Sequence, residues 1–216
     1  MTPNPLQEYR NLLSTQFSGL KLSVPLFYKW DIGLRFDLQT DSESTVQPDM
    51  TEYFEFAHNR SINIFQELFD AEDDVFLVLH QYKWHKRKKI RKGNYVLKQI
   101  SNISHSDVSF KTRRNLYDPE DHEDIWNEAI VKTKAKHIDH NNLLLAVTHT
   151  DFPSRKPHTS LRIYVVNSTK TLIFHQYDDR GLDVIASKTE SLRPIYNKYS
   201  KWLLEYDRKL MGQRME

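Results

Sequence analysis

His175, Asp178, Asp179, Arg180 and Asp183 fall within nine residues and carry groups from which chemistry is often built. Carboxylates can hold a hard divalent cation when oxygens converge from several segments. A histidine beside carboxylates can move protons. An arginine gripped by carboxylates can bind an anionic group of a partner. A structural reading competes with all three. Tyr177–Gly181 joins two apolar runs, as the tip of a hairpin does. Asp178 can accept a backbone N–H across such a turn, and Gly181 stands where a left-handed residue follows a type I turn. Turn chemistry explains Asp178 and Gly181 but leaves Asp179, Arg180 and Asp183 without a reason.

A second constellation is basic. Lys83, Trp84, Lys86, Arg87, Lys88, Lys89, Arg91 and Lys92 put seven cations and an aromatic into ten positions. Such a run can grip phosphates and stack a base, or it can blunt the edge of a sheet. In a strand over 128–138, Lys132, Lys134 and Lys136 would share one face, because strand side chains alternate. Two acidic runs, 70–74 and 118–124, read as solvated loops or as partners for the protein's own lysines. The ten histidines are scattered without an HExxH pair. The chain has no Walker A loop, G-x-G-x-x-G or G-x-S-x-G. It has no cysteine, which excludes disulfides, thiol nucleophiles, Cys-ligated zinc and iron–sulfur clusters. No metal or other cofactor is expected.

The elements that must position these groups follow from periodicity. Leu6, Tyr9, Leu12, Leu13 and Phe17 mark one face of a helix. Ile32, Leu34, Phe36 and Leu38 alternate with polar residues, as in a half-buried strand. Residues 50–69 carry a helical stripe through Tyr53, Phe54, Ala57, Ile64, Phe65 and Leu68. Residues 75–84 read as a strand, 94–101 as a short helix and 102–127 as irregular. Asp139 offers an N-cap for a short helix that Pro153 stops. Three strands in a meander follow, joined by 167–170 and by 178–181. One last helix is expected, capped by Ser191, with a stripe through Ile195, Tyr199, Trp202, Leu203, Tyr206 and Leu210. Hairpin links predict an α+β fold with a mainly antiparallel sheet and helices on one face, formed by 1–216 as one domain.

Tyr177, Asp178, Asp179, Arg180 and Gly181, with Asp183 in the next strand, resemble the signature of an uncharacterised bacterial domain-of-unknown-function family. The resemblance extends over Tyr196, Lys198, Tyr199, Trp202, Leu203, Leu204, Tyr206, Asp207 and Arg208, similar to an LYxKYxxWLLxYDR helix. It implies a bacterial intracellular setting and brings no activity, substrate or cofactor.

Of 216 residues, 38% are hydrophobic and 28% charged. Mean hydropathy is −0.69. That composition supports a folded core under a wet surface. The N-terminus lacks the basic and apolar blocks of a secretory signal, and no apolar run reaches a membrane span. A cytoplasmic protein without a membrane partner is expected. The leading functional expectation is a protein-binding module of the toxin-neutralising (immunity) type, using residues 175–183 and the basic run. Nucleic-acid binding through 83–92 is the first alternative. An enzyme centred on the 177–183 turn is the second.

Overall fold

A computed structural model describes residues 4–39, 50–83, 90, 93–114 and 125–216. Within them the two-residue alternations form one antiparallel sheet of seven strands. These are β1 (Gly33–Asp37), β2 (Asp74–Lys83), β3 (Val108–Arg114), β4 (Ile125–Lys134), β5 (Arg162–Asn167), β6 (Leu172–Gln176) and β7 (Gly181–Ala186). Their order across the sheet is β1-β7-β6-β5-β2-β4-β3. The expected α+β architecture is therefore present. The β5-β6-β7 meander has the register Phe174↔Val165 and Phe174↔Val184.

Among the described residues the six α-helices are α1 (Pro5–Gln16), α2 (Met50–Leu68), α3 (Tyr95–Lys98), α4 (His140–Thr148), α5 (Arg193–Lys198) and α6 (Arg208–Met215). The Asn4 side chain caps α1 by accepting from Leu6 N–H at 2.9 Å. Asp139 caps α4 by accepting from Asn142 N–H at 3.0 Å. Each cap satisfies an N–H that the first turn leaves without a partner.

Helices lie on both faces, which corrects the one-face expectation. Alternate residues of β2 explain why. Val75, Leu77 and Leu79 join the larger core with Ala57, Ile64 and Phe65 of α2 and Leu143 and Val147 of α4. Phe76 and Val78 point the other way and meet Tyr9 and Leu13 of α1 and Phe17. A central strand buried on both sides reads as a continuous apolar run.

Three local expectations are overturned. The 102–127 stretch contains β3, a polar edge strand paired with β4. Its charged residues hide the alternation of Val108, Phe110 and Thr112. The strand expected over 128–138 ends at Lys134 and passes into a 3-10 turn at Ala135–His137. There the N–H groups of Ala135 and Lys136 bond to Asp73 and Ala71 carbonyls of the preceding loop. The last helix is broken: α5 gives way to 3-10 turns at Ser200–Trp202 and Glu205–Asp207 before α6. Leu203 forms a bridge with Phe36, and Leu204 N–H donates to the Arg35 carbonyl at 2.9 Å. Pairing with the edge strand β1 outweighs helix propensity here. Ser191 belongs to a separate 3-10 turn and does not cap α5, whose N-cap is Leu192.

Candidate functional site

On the α1 face, each strand contributes one side chain to a continuous belt across the sheet. Lys111 of β3 pairs with Glu128 of β4 at 2.7 Å. Glu128 accepts from His80 Nε2 of β2 at 2.8 Å. The His80 ring lies 5.3 Å from Tyr164 of β5, which stacks on His175 of β6 at 4.1 Å. The His175 ring is 5.5 Å from Tyr177, whose hydroxyl donates to Asp183 of β7. Arg35 of β1 closes the belt with Nε 3.4 Å from Asp183. Arg35 also donates from Nε to the Tyr177 hydroxyl at 3.1 Å and from Nη1 to Asp207 at 3.2 Å. Tyr28 donates to the same Asp207 at 2.8 Å.

Asp183 is fully buried. A carboxylate placed there loses solvation worth several kcal/mol. Tyr177, Arg35 and the Phe27 N–H at 2.9 Å offset part of it. Burial remains the larger influence and raises the Asp183 pKa. Burial first, then Asp183, pushes the Tyr177 hydroxyl up, so it stays protonated and donating. Burial lowers Arg35, but Tyr177, Asp183 and Asp207 more than offset it.

The turn after β6 has its own economy. Asp178 accepts from Arg180 N–H at 2.7 Å and from Arg180 Nε at 2.9 Å. Arg180 Nη2 reaches Asp151 at 3.0 Å. Asp179 accepts from Tyr53 of α2. Burial and then this bond push the Tyr53 hydroxyl up to about 12. Oxygens of Asp151, Asp178 and Asp179 lie within 4.8 Å of one another. Asp151 and Asp178 hold the Arg180 guanidinium. Gly181 does not take the expected left-handed conformation; Gly19 is the glycine with positive φ among the described residues. Position 181 needs space instead. An added Cβ would lie 2.9 Å from Tyr177 Cε2 and 3.0 Å from the Phe36 carbonyl oxygen.

The five motif residues therefore separate. His175, Asp178 and Arg180 line one cleft of about 730 Å³, together with Arg35, Tyr177 and Thr150. Asp183 lies beneath Tyr177, and Asp179 reaches α2. His175 Nδ1 donates to the Ile163 carbonyl at 2.7 Å, because a carbonyl can only accept. Burial pushes the His175 imidazole down to about 3, so the ring is neutral and Nε2 is an acceptor. Nε2 is buried without a hydrogen-bond partner, as is Thr150 Oγ1. Leaving a buried polar atom unpaired costs about 1–3 kcal/mol.

Lys83 ends β2 beside Tyr82, which also lines the cleft. Trp84, Lys86, Arg87, Lys88, Lys89, Arg91 and Lys92 lie outside the described residues, as does the acidic run 118–124. The lysine row is internally paired. Lys132 meets Glu8, Lys134 meets Glu72 and Asp74, and Lys136 meets Glu72 at 2.6 Å. Arg35 and Asp207 were missed as site residues. The alternation of β1 signalled Arg35 as polar, but nothing local signalled its pairing with a residue 172 positions away.

Residues 9–207 match the family described as domain of unknown function (DUF3885). The chain belongs to this family. The chain is similar to the Uncharacterized protein YnaE of Bacillus subtilis (strain 168). It is 30% identical over 207 residues, which cover 90% of this chain and 96% of the relative. No solved structure matches the chain. Among the described residues of this DUF3885 protein, no helix is long and apolar enough to cross a membrane.

Proposed function

We propose that this DUF3885 protein is a binding module whose partner is another protein, in the manner of immunity proteins that neutralise toxins. One observation carries the reading: the carboxylates of the 177–183 turn are committed to internal partners, while the cleft beside them stays open. Asp178 holds Arg180, Asp179 holds Tyr53, and Asp183 holds Tyr177 and the Phe27 N–H. His175 is oriented by a backbone carbonyl rather than by a carboxylate. With a pKa pushed to about 3 it is a poor base at neutral pH. The walls carry Tyr82, Trp126 and Tyr177 beside Arg35, Arg162 and Arg180. Tyrosine, tryptophan and arginine are the residue types that dominate binding energy at protein interfaces.

The test uses the full chain as immobilised bait in lysate of its native host. Ser160 is exposed and lines the cleft, so Ser160→Trp obstructs the mouth without disturbing the core. A protein retained by the wild type and lost with Ser160→Trp supports the reading. A bait that retains nothing, or retains the same proteins in both forms, overturns it. The neutralising form has its own test. The retained protein should arrest growth when expressed alone, and co-expression of this chain should restore it.

A further inference from the structure

The chain leaving α1 builds a small hollow outside the cleft. Ser18 and Gly19 both take positive φ, at 49° and 74°. Their turn lets the Gly19 N–H donate to the Leu13 carbonyl at 2.9 Å and the Leu20 N–H to the Phe17 carbonyl at 2.8 Å. A left-handed residue after the last turn is a common way to close a helix. The turn folds 19–22 back beside α1, with Leu22 buried and Lys21 exposed. Residues 19–22, with Tyr9, Arg10 and Leu13 of α1 and Lys111 of β3, enclose about 280 Å³.

The floor of this hollow is apolar, since Tyr9, Leu13 and Leu22 are buried. Its rim is cationic. Arg10, Lys21 and Lys111 line it, and no carboxylate does. Lys111 is offset by Glu128 at 2.7 Å. Arg10 and Lys21 are exposed, and among the described residues neither side chain has an ion pair or a hydrogen bond. Glu8, the acid nearest to Arg10 in sequence, is held by Lys132. Arg10 and Lys21 are therefore left unbalanced. Both charges end flexible stems in water, so both can turn toward an anion seated in the hollow. The hollow and the cleft also share a face of the sheet: Lys111 lines the first, His80 lines the second, and Glu128 pairs with both.

We infer that the hollow docks an acidic stretch of the protein partner, with a carboxylate between Arg10 and Lys21 and apolar atoms of the same stretch on the floor of Tyr9, Leu13 and Leu22. This rests on the reading of the chain as a protein-binding module. An apolar floor under a cationic rim suits a glutamate-bearing peptide better than a bare phosphate, which has no apolar surface to bury. Opposite charges facing each other across an interface speed encounter and fix register. The acidic stretch thus orients the partner on the face that also carries the cleft.

The test titrates full-length ¹⁵N-labelled protein at low salt with the acetylated, amidated tripeptide Glu-Leu-Glu and, separately, with its Gln-Leu-Gln counterpart. The two peptides match in shape, and the first alone is charged. The backbone amides of Gly19 and Lys21 report on the hollow. The expected result is a saturable shift of both amides with the acidic peptide and none with the neutral one. Arg10→Gln combined with Lys21→Gln should weaken the titration read at Gly19 roughly fivefold, the loss of two exposed ion pairs. Both side chains are exposed and bond to nothing in the fold, so the double variant keeps its structure. Lys188→Gln combined with Lys209→Gln removes the same charge from two exposed lysines outside the hollow and should leave the titration unchanged. No shift with the acidic peptide, equal shifts with both peptides, or equal weakening by both double variants overturns the inference. Inorganic phosphate that moves Gly19 and Lys21 at a lower concentration than the acidic peptide assigns the hollow to phosphate and overturns the peptide source. A partner retained equally by wild-type bait and by bait carrying Arg10→Gln and Lys21→Gln leaves the binding module standing and removes this site. Acidic-peptide binding with no protein retained by the bait keeps the hollow's chemistry and removes the protein partner.

Discussion

The ring of Tyr177 lies over position 181 so closely that a methyl group has no room. The nearest atoms would be 2.9 and 3.0 Å from an added Cβ, and one of them is backbone of β1. Backbone cannot step aside as a flexible side-chain end can, so Gly181→Ala should cost about 1–3 kcal/mol of unfolding free energy. Gly93 has nothing within 4 Å of the same construction. Gly93→Ala should be neutral or stabilising by up to about 1 kcal/mol. Urea denaturation of the two variants checks the pair, and equal stabilities would show that Tyr177 yields. The glycine was legible in the sequence, but its reason was not. Turn statistics point to conformation, whereas the constraint comes from a ring and a strand brought together by the fold. Asp178 is the opposite case. Its bond to the Arg180 N–H is local, two residues apart, and local chemistry is what a sequence displays.

Strands and caps were legible wherever neighbours in sequence decide them. The β5-β6-β7 meander and the Asp139 cap belong to that class. The last helix does not. Its apolar spacing fits one helix, yet the chain at 203–204 hydrogen-bonds to β1, more than 160 residues earlier. Arg208 then donates to the Ser200 carbonyl at 2.8 Å, which also accepts from the Leu203 N–H, and to the Leu203 carbonyl at 3.1 Å. Tyr206, expected on the buried stripe, is 87% exposed. The two arrangements predict different mutant behaviour. Leu204→Pro removes the N–H that bonds to Arg35 and should lower stability by about 1 kcal/mol or more. Tyr206→Ser should stay within about 0.5 kcal/mol of wild type. A continuous helix would give a large loss for Tyr206→Ser, so thermal denaturation of both variants separates them.

Across the described sheet, the belt from Lys111 to Arg35 crosses seven strands in one polar row, and His175 sits within it, stacked on the central Tyr164, with no charge. That neutrality has a pH signature. In the unfolded chain a histidine titrates near 6.5, while in the fold burial pushes His175 to about 3. Between those values the unfolded state holds a proton that the folded state refuses, so acid favours unfolding. The His175 contribution is therefore complete above pH 6.5 and is lost as pH falls toward 3. At about 1.4 kcal/mol per pH unit, the whole window is worth on the order of 5 kcal/mol. Arg162 and His80 face the ring and oppose its protonation, while Asp178 favours it. His58 and His149 are also lowered by burial and add slope in the same direction. A comparison with His175→Phe isolates the one residue, because phenylalanine keeps a ring against Tyr164 and cannot titrate. Unfolding free energies measured from pH 7.5 to 4 should fall more steeply for the wild type than for the variant. Parallel curves would mean that His175 protonates in the folded state and is not held neutral by its burial.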